Sequence, residues 1–349
     1  MAENTTSVHV GAVLDMGTPM GKMSMTAMSM AIQEFYAIHK NYTTRLVIHT
    51  RDSEDSEAGA AWAAFDLLRN AQVQAILGPT TSAQAGLVAD FGNKAQVPVI
   101  SFSATSPSLS PAEKPYFVRT ALHDAHQVNA ISSIIKHYGW REAVPLCEGT
   151  NHGSALMPHL VDTLHAAGIR VPHRSLISPS ATDEAEAREV GLMGYGYVWI
   201  VTDSMTNFID HLDPVVVDSM DGVLGVRPYV PNTEELRSFK ARMRAKFHEE
   251  NPGTKPENNV NMFGLWAYDA IWALARAAEK VRAGAQISDN STAKLSRRLL
   301  EAISNEKFSG KIHMEGGQLK ASSFQIVNVA GKKQRNVGLW SPTHGVKWQ

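Results

Sequence analysis

Short runs of β-branched and apolar residues alternate with longer amphipathic runs along the first third of the chain. Strands are predicted at Val8–Leu14, Arg45–Thr50, Val73–Leu77 and Val97–Ser101. Helices are predicted between them at Lys22–Ile38, Ala58–Asn70 and Ser82–Asn93. Strict alternation of strand and helix with short connections predicts a parallel sheet covered by helices on both faces.

The same pattern restarts after Pro115–Arg119. It predicts the helices Ala125–Tyr138 and Gly153–Ala167 and the strands Glu142–Leu146, Val171–Ile177, Val198–Thr202 and Val223–Val226. Three later helices, Thr233–Glu249, Val260–Arg282 and Thr292–Asn305, have no strand between them and must cover sheets formed earlier. The segments Phe324–Val329 and Val337–Trp340 are typical of a hairpin.

This order of elements predicts an α/β protein of two lobes joined by more than one crossing of the chain. We expect lobe 1 at residues 1–122 and lobe 2 at residues 123–231. Residues 232–310 are expected to return largely to lobe 1. Residues 311–349 form the hairpin and tail, which we place on lobe 2.

Composition narrows the classes of function. The 349 residues carry 33 basic and 34 acidic side chains, a formal net charge of −1, so a nucleic-acid partner is not expected. The one cysteine, Cys147, excludes an internal disulfide and Cys-rich zinc sites. No window approaches the roughly 18 apolar residues of a membrane span, and the first residues lack a signal peptide's apolar stretch. Sequons at Asn4, Asn41 and Asn290 permit glycosylation of a secreted chain.

Signatures of catalysis are absent from the sequence. The turn from Gly17 to Lys22 has the composition of a phosphate-binding loop, but Met16 and Met23 stand where that motif needs a glycine and a hydroxyl residue. No G-x-G-x-x-G follows the first strand, and G-x-S-x-G and H-E-x-x-H do not occur. We therefore expect no catalytic residue, no cofactor and no metal site.

Binding chemistry is concentrated in two hydroxyl-rich turns that follow predicted neighbouring strands. The first runs from Gly78 to Ser82 and the second from Ser101 to Ser108. Open α/β sheets bind ligands at the carboxyl ends of their strands, and such turns offer hydroxyl and N–H groups to a carboxylate. The alternative is that these hydroxyls only cap helices.

The second turn carries a resemblance to a known family. The stretch Val97–Ser110, with Gly92–Gln96 before it and Pro115–Arg119 after it, resembles the amino-terminal domain of plant glutamate receptor-like channels. Further matches are Val13–Gly17, Gln74–Pro79, Tyr138–Arg141, Tyr197–Ile200 and Gly222–Pro228. The resemblance implies a two-lobed, periplasmic-binding-protein-like type I clamshell, each lobe a parallel sheet flanked by helices. It also implies an extracellular place at the plasma membrane, in a receptor with a cation-conducting pore outside this chain.

The resemblance also implies where a ligand binds. Related clamshells, the metabotropic glutamate receptors among them, hold an amino acid in the cleft between the lobes. On lobe 1 the matching residues are Ser103, Ala104 and Thr105, with Thr81 or Ser82 in the turn after Gly-Pro. On lobe 2, Asp203 matches an acid that suits a ligand ammonium group, and His152 stands where the family has an aromatic residue.

Lobe 2 departs from the family near residues 183–196. The family has a helix, a strand and another helix before the Tyr-Val-Trp-Ile strand, whereas Glu184–Gly196 leaves room for one short helix. A parallel crossover needs about a dozen residues or more. We therefore expect lobe 2 to lack one strand, whose place is between Glu142–Leu146 and Val198–Thr202.

Three functions are consistent with this sequence. The first is an extracellular ligand-binding domain that takes an amino acid or small peptide, in a receptor that assembles as a homo- or hetero-oligomer. The second is an assembly module that has lost ligand binding, which the short lobe 2 and His152 favour. The third is an enzyme, which fold alone never excludes but for which no nucleophile or nucleotide motif speaks.

Overall fold

The computed structural model describes residues 5–149, 154–177, 196–207, 209, 212–254, 262–283, 292–304, 314–315, 318–319 and 323–349. These residues fall into two compact units. Unit 1 lies within Met1–Thr105, Leu109–Leu122 and Asn232–Lys320, and unit 2 within Ser106–Ser108, His123–Pro231 and Ala321–Gln349. Among the helices described, none is long and apolar enough to cross a membrane.

Unit 1 is a sheet with helices on both faces. Its strands are β1 (Thr6–Leu14), β2 (Thr44–Asp52), β3 (Ala75–Leu77), β4 (Val99–Ser101), β5 (Phe117–Arg119), β10 (Met314–Glu315) and β11 (Gln318–Leu319). They are ordered β10-β11-β5-β4-β3-β1-β2, and the strands from β5 to β2 are parallel. Its helices are α1 (Pro19–Ile38), α2 (Glu57–Arg69), α3 (Ser82–Ala95), α8 (Glu234–Glu250), α9 (Met262–Ala283) and α10 (Thr292–Ser304). The predicted parallel sheet and its helices are confirmed.

An apolar cluster and a set of hydrogen bonds attach the helices of unit 1 to its sheet. Leu67 of α2, Val88 of α3 and Val13 of β1 belong to one buried apolar cluster, which makes one face of the sheet a continuous core. On the chain's return, Glu279 of α9 accepts hydrogen bonds from the backbone N–H groups of Thr43 and Thr44, at 3.0 and 2.9 Å. These contacts attach a late helix to the start of β2.

The turn that resembles a phosphate-binding loop has a structural explanation. Thr18 caps α1 by accepting a hydrogen bond from the Gly21 N–H at 3.1 Å, and Pro19 is the first helical residue. A Cβ on Gly21 would lie 1.8 Å from the Asp15 carbonyl oxygen. Glycine is therefore required here for close packing of backbone on backbone.

Unit 2 contains two separate sheets among its described residues. One pairs β6 (Leu146–Glu148) with β7 (Ser175–Ile177) in parallel. The other is ordered β14-β13-β12-β9-β8 and consists of β8 (Ile200–Val201), β9 (Leu224–Pro228), β12 (Phe324–Val329), β13 (Gln334–Ser341) and β14 (Gly345–Trp348). Its helices are α4 (Ala125–His137), α5 (Met157–Ala166), α6 (Asp203–Thr206) and α7 (Pro214–Ser219). The predicted C-terminal hairpin is confirmed as β12 and β13, and β14 extends it.

One predicted strand of unit 2 is wrong in its bounds. The sequence predicts a strand at Glu142–Leu146, but β6 runs from Leu146 to Glu148, and Glu142 makes an isolated bridge with Arg170. Pro145 explains the shift because proline has no N–H to give to a ladder. Its carbonyl oxygen accepts from the Ser175 N–H at 3.1 Å, and regular pairing starts after it.

Candidate functional site

The two hydroxyl-rich turns lie at the same edge of the unit 1 sheet. Strands β3 and β4 are parallel neighbours, with Ile76 opposite Val99 and Leu77 opposite Ile100. Their carboxyl ends therefore meet at one edge. The predicted neighbourhood of the turn after β3 and the turn after β4 is confirmed.

Glycine is needed where the first turn leaves β3. Gly78 has a φ of +86°, and a Cβ there would lie 2.3 Å from the Val13 carbonyl oxygen. Its N–H donates to the Ile100 carbonyl at 2.9 Å. The first turn is thus held against both neighbouring strands, β1 and β4.

Two serine hydroxyls connect the turns to each other. Ser101 donates to the Pro79 carbonyl at 3.1 Å and accepts from the Ala104 N–H at 3.0 Å. Ser103 is buried, and its hydroxyl donates to the Thr80 carbonyl at 2.7 Å. Since that proton is already used, Ser103 in this arrangement positions the turn and has no proton to offer a ligand carboxylate.

A fully buried arginine donates hydrogen bonds to backbone carbonyls of the second turn and of the residue that follows it. Arg119, the last residue of β5, donates from Nη1 to the Thr105 carbonyl at 3.0 Å and from Nη2 to the Leu109 carbonyl. Its guanidinium carbon lies 5.7 Å from the centroid of the Phe117 ring. Charge-assisted bonds of this kind are stronger than neutral ones, so Arg119 fixes both ends of the turn from Thr105 to Leu109.

Three hydroxyl residues among the predicted ligand residues are exposed or half-buried in these turns. Thr81 is exposed and caps α3 by accepting from the Gln84 N–H at 3.3 Å, so the capping alternative holds for its oxygen while its proton stays available. Ser82, the first residue of α3, is half-buried. Thr105 is half-buried, and its hydroxyl bonds to no other described residue. Ala104 is fully buried and contributes shape to the turn.

In unit 2, Asp203 is buried in a network with two residues near the start of α4. Its backbone N–H donates to the Gln127 side-chain oxygen at 2.8 Å, and its Oδ1 accepts from the Gln127 Nε2 at 2.9 Å. The same Nε2 also donates to Asp124 Oδ1 at 3.0 Å. One amide thus bridges two carboxyl groups.

This environment changes the acidity of Asp203. Burial raises the pKa of its carboxyl from 3.8 to about 7, with the nearby Asp124 carboxylate acting in the same direction and the Gln127 hydrogen bond opposing both. A cation beside Asp203 would favour its ionised form. The Asp203 carboxyl therefore suits a ligand ammonium group, and binding of that group near neutral pH would release the carboxyl proton.

Some predicted residues fall outside the described part of the chain. These are His152, Asn4 and Asn290, together with residues 184–195, where lobe 2 is expected to lack a strand. Asn41 is described, and it is exposed in the turn between α1 and β2. Its glycosylation stays a prediction.

Sequence reasoning missed three residues that shape the candidate site: Arg119, Asp124 and Gln127. Arg119 ends the stretch Pro115–Arg119 that carries part of the family resemblance, but the sequence gives no sign that this arginine is completely buried. Gln127 precedes Asp203 by 76 positions, and its polar side chain on the apolar side of a predicted amphipathic helix was the available signal.

Comparison with known proteins places these features in a family. The profile described as "Receptor family ligand binding region" matches residues 23–187 and 185–332. Glutamate receptor 2.2 of Arabidopsis thaliana is 36% identical over 387 aligned positions, which cover 98% of this chain and 41% of that protein. Glutamate receptor 2.4 of the same plant is 38% identical, over 99% of this chain and 43% of that protein. The chain spans about two-fifths of the length of these relatives.

Solved structures with a similar fold are bacterial binding proteins. A leucine-binding protein from Thermotoga maritima has a TM-score of 0.73 at 17% identity, covering 96% of this chain and 99% of that one. A substrate-binding protein from Desulfitobacterium hafniense, solved with leucine, has a TM-score of 0.70 at 16% identity, covering 95% of this chain and all of that one. The fold is the periplasmic-binding-protein-like type I fold, as the sequence predicts.

The resemblance to the amino-terminal domain of plant glutamate receptor-like proteins is confirmed over nearly the whole chain. The profile match extends through the second hydroxyl-rich turn, Asp203 and both units. The chain belongs to the receptor ligand-binding-region family.

Proposed function

We propose that this domain binds an amino acid or small peptide, and that the turns after β3 and β4 hold the ligand's carboxylate. The observation that carries the proposal is that some hydroxyls of these turns donate their protons to the protein and others do not. Ser101 and Ser103 hold the turns together, whereas Thr81 and Thr105 keep hydroxyl protons for an acceptor. The bacterial relatives with this fold are named for leucine or were solved with it, which supports a small amino acid as the ligand class.

The proposal assigns the ligand's ammonium group to Asp203 in unit 2. Its carboxyl already has one hydrogen-bond donor in Gln127, and a bound cation would offset the burial that keeps it protonated. His152, for which the sequence argues by resemblance alone, remains part of the proposed set of ligand residues.

We further propose that the domain acts without catalysis, as the extracellular part of a plasma-membrane receptor whose cation-conducting segments lie outside this chain. The names of its longer relatives, of which it spans about two-fifths, support this assignment. The receptor context also supports assembly with other subunits.

Thr105→Ala is expected to weaken ligand binding about 10- to 100-fold, because a hydrogen bond to a charged partner contributes about 1.5–3 kcal/mol. Thermal-shift screening against the twenty amino acids and glutathione identifies the ligand, and calorimetry then measures its Kd in each variant. Ser7→Ala is the matched control, since Ser7 is exposed on β1 at the opposite end of the same parallel strands. A Thr105→Ala protein that keeps every ligand-induced shift contradicts the assignment.

A second candidate function is a non-binding assembly module. Its specific support is an exposed aromatic pair on α2: Trp62 is 71% exposed, and its ring stacks on Phe65 with centroids 5.8 Å apart. Exposed apolar groups of this size mark interaction surfaces when they cluster.

The assembly module predicts an oligomer that forms without ligand and that Trp62→Ser weakens. Light scattering measures the molar mass with and without the ligand found in the screen. Trp62→Ser leaves the hydroxyl turns untouched, so a loss of oligomer with intact ligand binding separates the two functions. A monomer under all conditions removes this candidate.

A further inference from the structure

The parallel strands of unit 2 are divided into two groups. Strands β6 and β7 pair with each other, and β8 pairs with β9. No described pairing joins β6 to β8. In unit 1, by contrast, the parallel strands from β5 to β2 form one uninterrupted series.

Hydrogen bonding shows which backbone groups point away from the existing partners. In β6 the bonds to β7 involve Pro145, whose carbonyl accepts from Ser175, and Gly149, whose N–H donates to Ile177. Alternate residues of a parallel strand bond to opposite neighbours. The N–H and C=O groups of Leu146 and Glu148 therefore face the edge away from β7.

The same rule applies to β8. The carbonyl of Trp199 accepts from the Leu224 N–H at 2.9 Å, so the residues next to Ile200 bond to β9. The N–H and C=O of Ile200 face the other edge, and no hydrogen bond to a described residue reaches them. Both β6 and β8 thus present backbone groups of the kind that template a further strand.

Exposure in this region is unusual for parallel strands, which are ordinarily buried on both faces. All residues of β3, β4 and β5 in unit 1 are buried. In unit 2, both residues of β8 are half-buried, and Leu176 of β7 is 57% exposed.

The alignment with a relative is longer than this chain, and the family profile is interrupted near this position. The alignment with Glutamate receptor 2.2 has 387 positions and this chain has 349 residues, so at least 38 aligned positions face a gap in this chain. The family profile matches in two parts that meet at residues 185–187, between β7 and β8. The total length of these gaps exceeds the dozen or so residues that a parallel crossover with its strand needs.

We propose that the edges of β6 and β8 bound a slot that accepts an extended strand from another polypeptide. The guest runs parallel to both neighbours and bonds to Leu146 and Glu148 on one side and to Ile200 on the other. Because parallel strands are ordinarily covered on both faces, we expect the guest to be an apolar, β-branched segment without proline. Strand addition of this type is a known mode of peptide recognition.

Overlapping synthetic peptides of about 12 residues, longer than an ordinary strand, test this proposal when they copy the segment of Glutamate receptor 2.2 between the positions that align with β7 and β8. We expect one of them to bind and to slow hydrogen exchange of the Leu146, Glu148 and Ile200 amides by ~10-fold or more. It should also protect the half-buried Cys147 of β6 from a thiol reagent. The same peptide with proline at its centre should not bind.

Ile200→Pro provides the matched test on the protein. Proline there removes an N–H that faces the guest and none that bonds to β9, a position where edge strands accept proline. We expect peptide affinity to fall at least ~10-fold, while Ile200→Val, which keeps the N–H, binds as the wild type does. Binding of no peptide, amides already protected before peptide is added, or equal binding of the proline-containing peptide overturns the proposal. The peptide arms decide the question even if Ile200→Pro fails to fold.

Discussion

Asp203→Asn is expected to flatten the dependence of unit 2 stability on pH. In the folded chain, burial raises the pKa of this carboxyl to about 7, from an ordinary value of 3.8. The folded state therefore binds the proton more tightly than the unfolded state does, and protonation stabilises it. That stabilisation is fully present below about pH 4 and is lost as the pH rises through about 7. The difference of roughly three pKa units corresponds to about 4 kcal/mol at most.

Urea unfolding at pH 5 and pH 8 measures this effect. Wild-type unit 2 should be less stable at pH 8 by a few kcal/mol, whereas Asp203→Asn, which cannot ionise, should lose most of that difference. Asp218→Asn is the control, because Asp218 is exposed and lies 3.6 Å from Lys332 in the same unit. An unchanged pH profile in Asp203→Asn would show that its carboxyl does not titrate as the network with Asp124 and Gln127 requires.

Arg119→Met is expected to destabilise unit 1 by about 3–5 kcal/mol. The substitution removes the donors of the half-buried Thr105 carbonyl and of the buried Leu109 carbonyl, and an unsatisfied buried group costs about 1–3 kcal/mol. It should also abolish ligand binding by the turn, because the position of Thr105 depends on these two bonds.

Denaturant unfolding and a ligand titration measure the two consequences of Arg119→Met. Arg119→Lys should recover only part of the stability, since an ammonium group does not reproduce the two-pronged geometry of a guanidinium. Arg69→Met, at the exposed end of α2, should change stability by no more than about 0.5 kcal/mol. An Arg119→Met protein that unfolds at the wild-type denaturant concentration would refute the role given to this side chain.

Periodicity and turn chemistry were sufficient to predict most elements of both units. Strands β1 to β4 and helices α1 to α4 lie within a few residues of their predicted bounds, because each combines a regular apolar pattern with a clear Gly, Pro, Ser or Thr boundary. The short strand β5 lies in the stretch Pro115–Arg119 of the family resemblance, but the pattern does not predict a strand there. Three buried residues, Phe117–Arg119, carry too little pattern to identify.

The candidate site was predictable in its location more than in its chemistry. Strand order puts Thr81 and Thr105 at one sheet edge, and this follows from alternation alone. The state of Ser103 and Asp203 does not follow from alternation, because it depends on partners in other elements. The Ser103 hydroxyl donates its proton to the Thr80 carbonyl, and the Asp203 carboxyl accepts a hydrogen bond from Gln127 of a different helix. Sequence identifies residues that can bind, and the fold decides which of their atoms remain available.

The interleaved path of the chain has a consequence for biosynthesis. The last helices of unit 1 come after residues 123–231 of unit 2 in the sequence. One of them, α9, is attached to the start of β2 by the hydrogen bonds that Glu279 accepts from Thr43 and Thr44. A ribosome therefore releases α1 and β2 long before α9, which packs against both of them, has been made. During that interval the apolar face that α9 later buries is available to chaperones or to aggregation. Substitutions of the buried residues of α9 should consequently lower the yield of folded protein made in cells as well as its stability once folded.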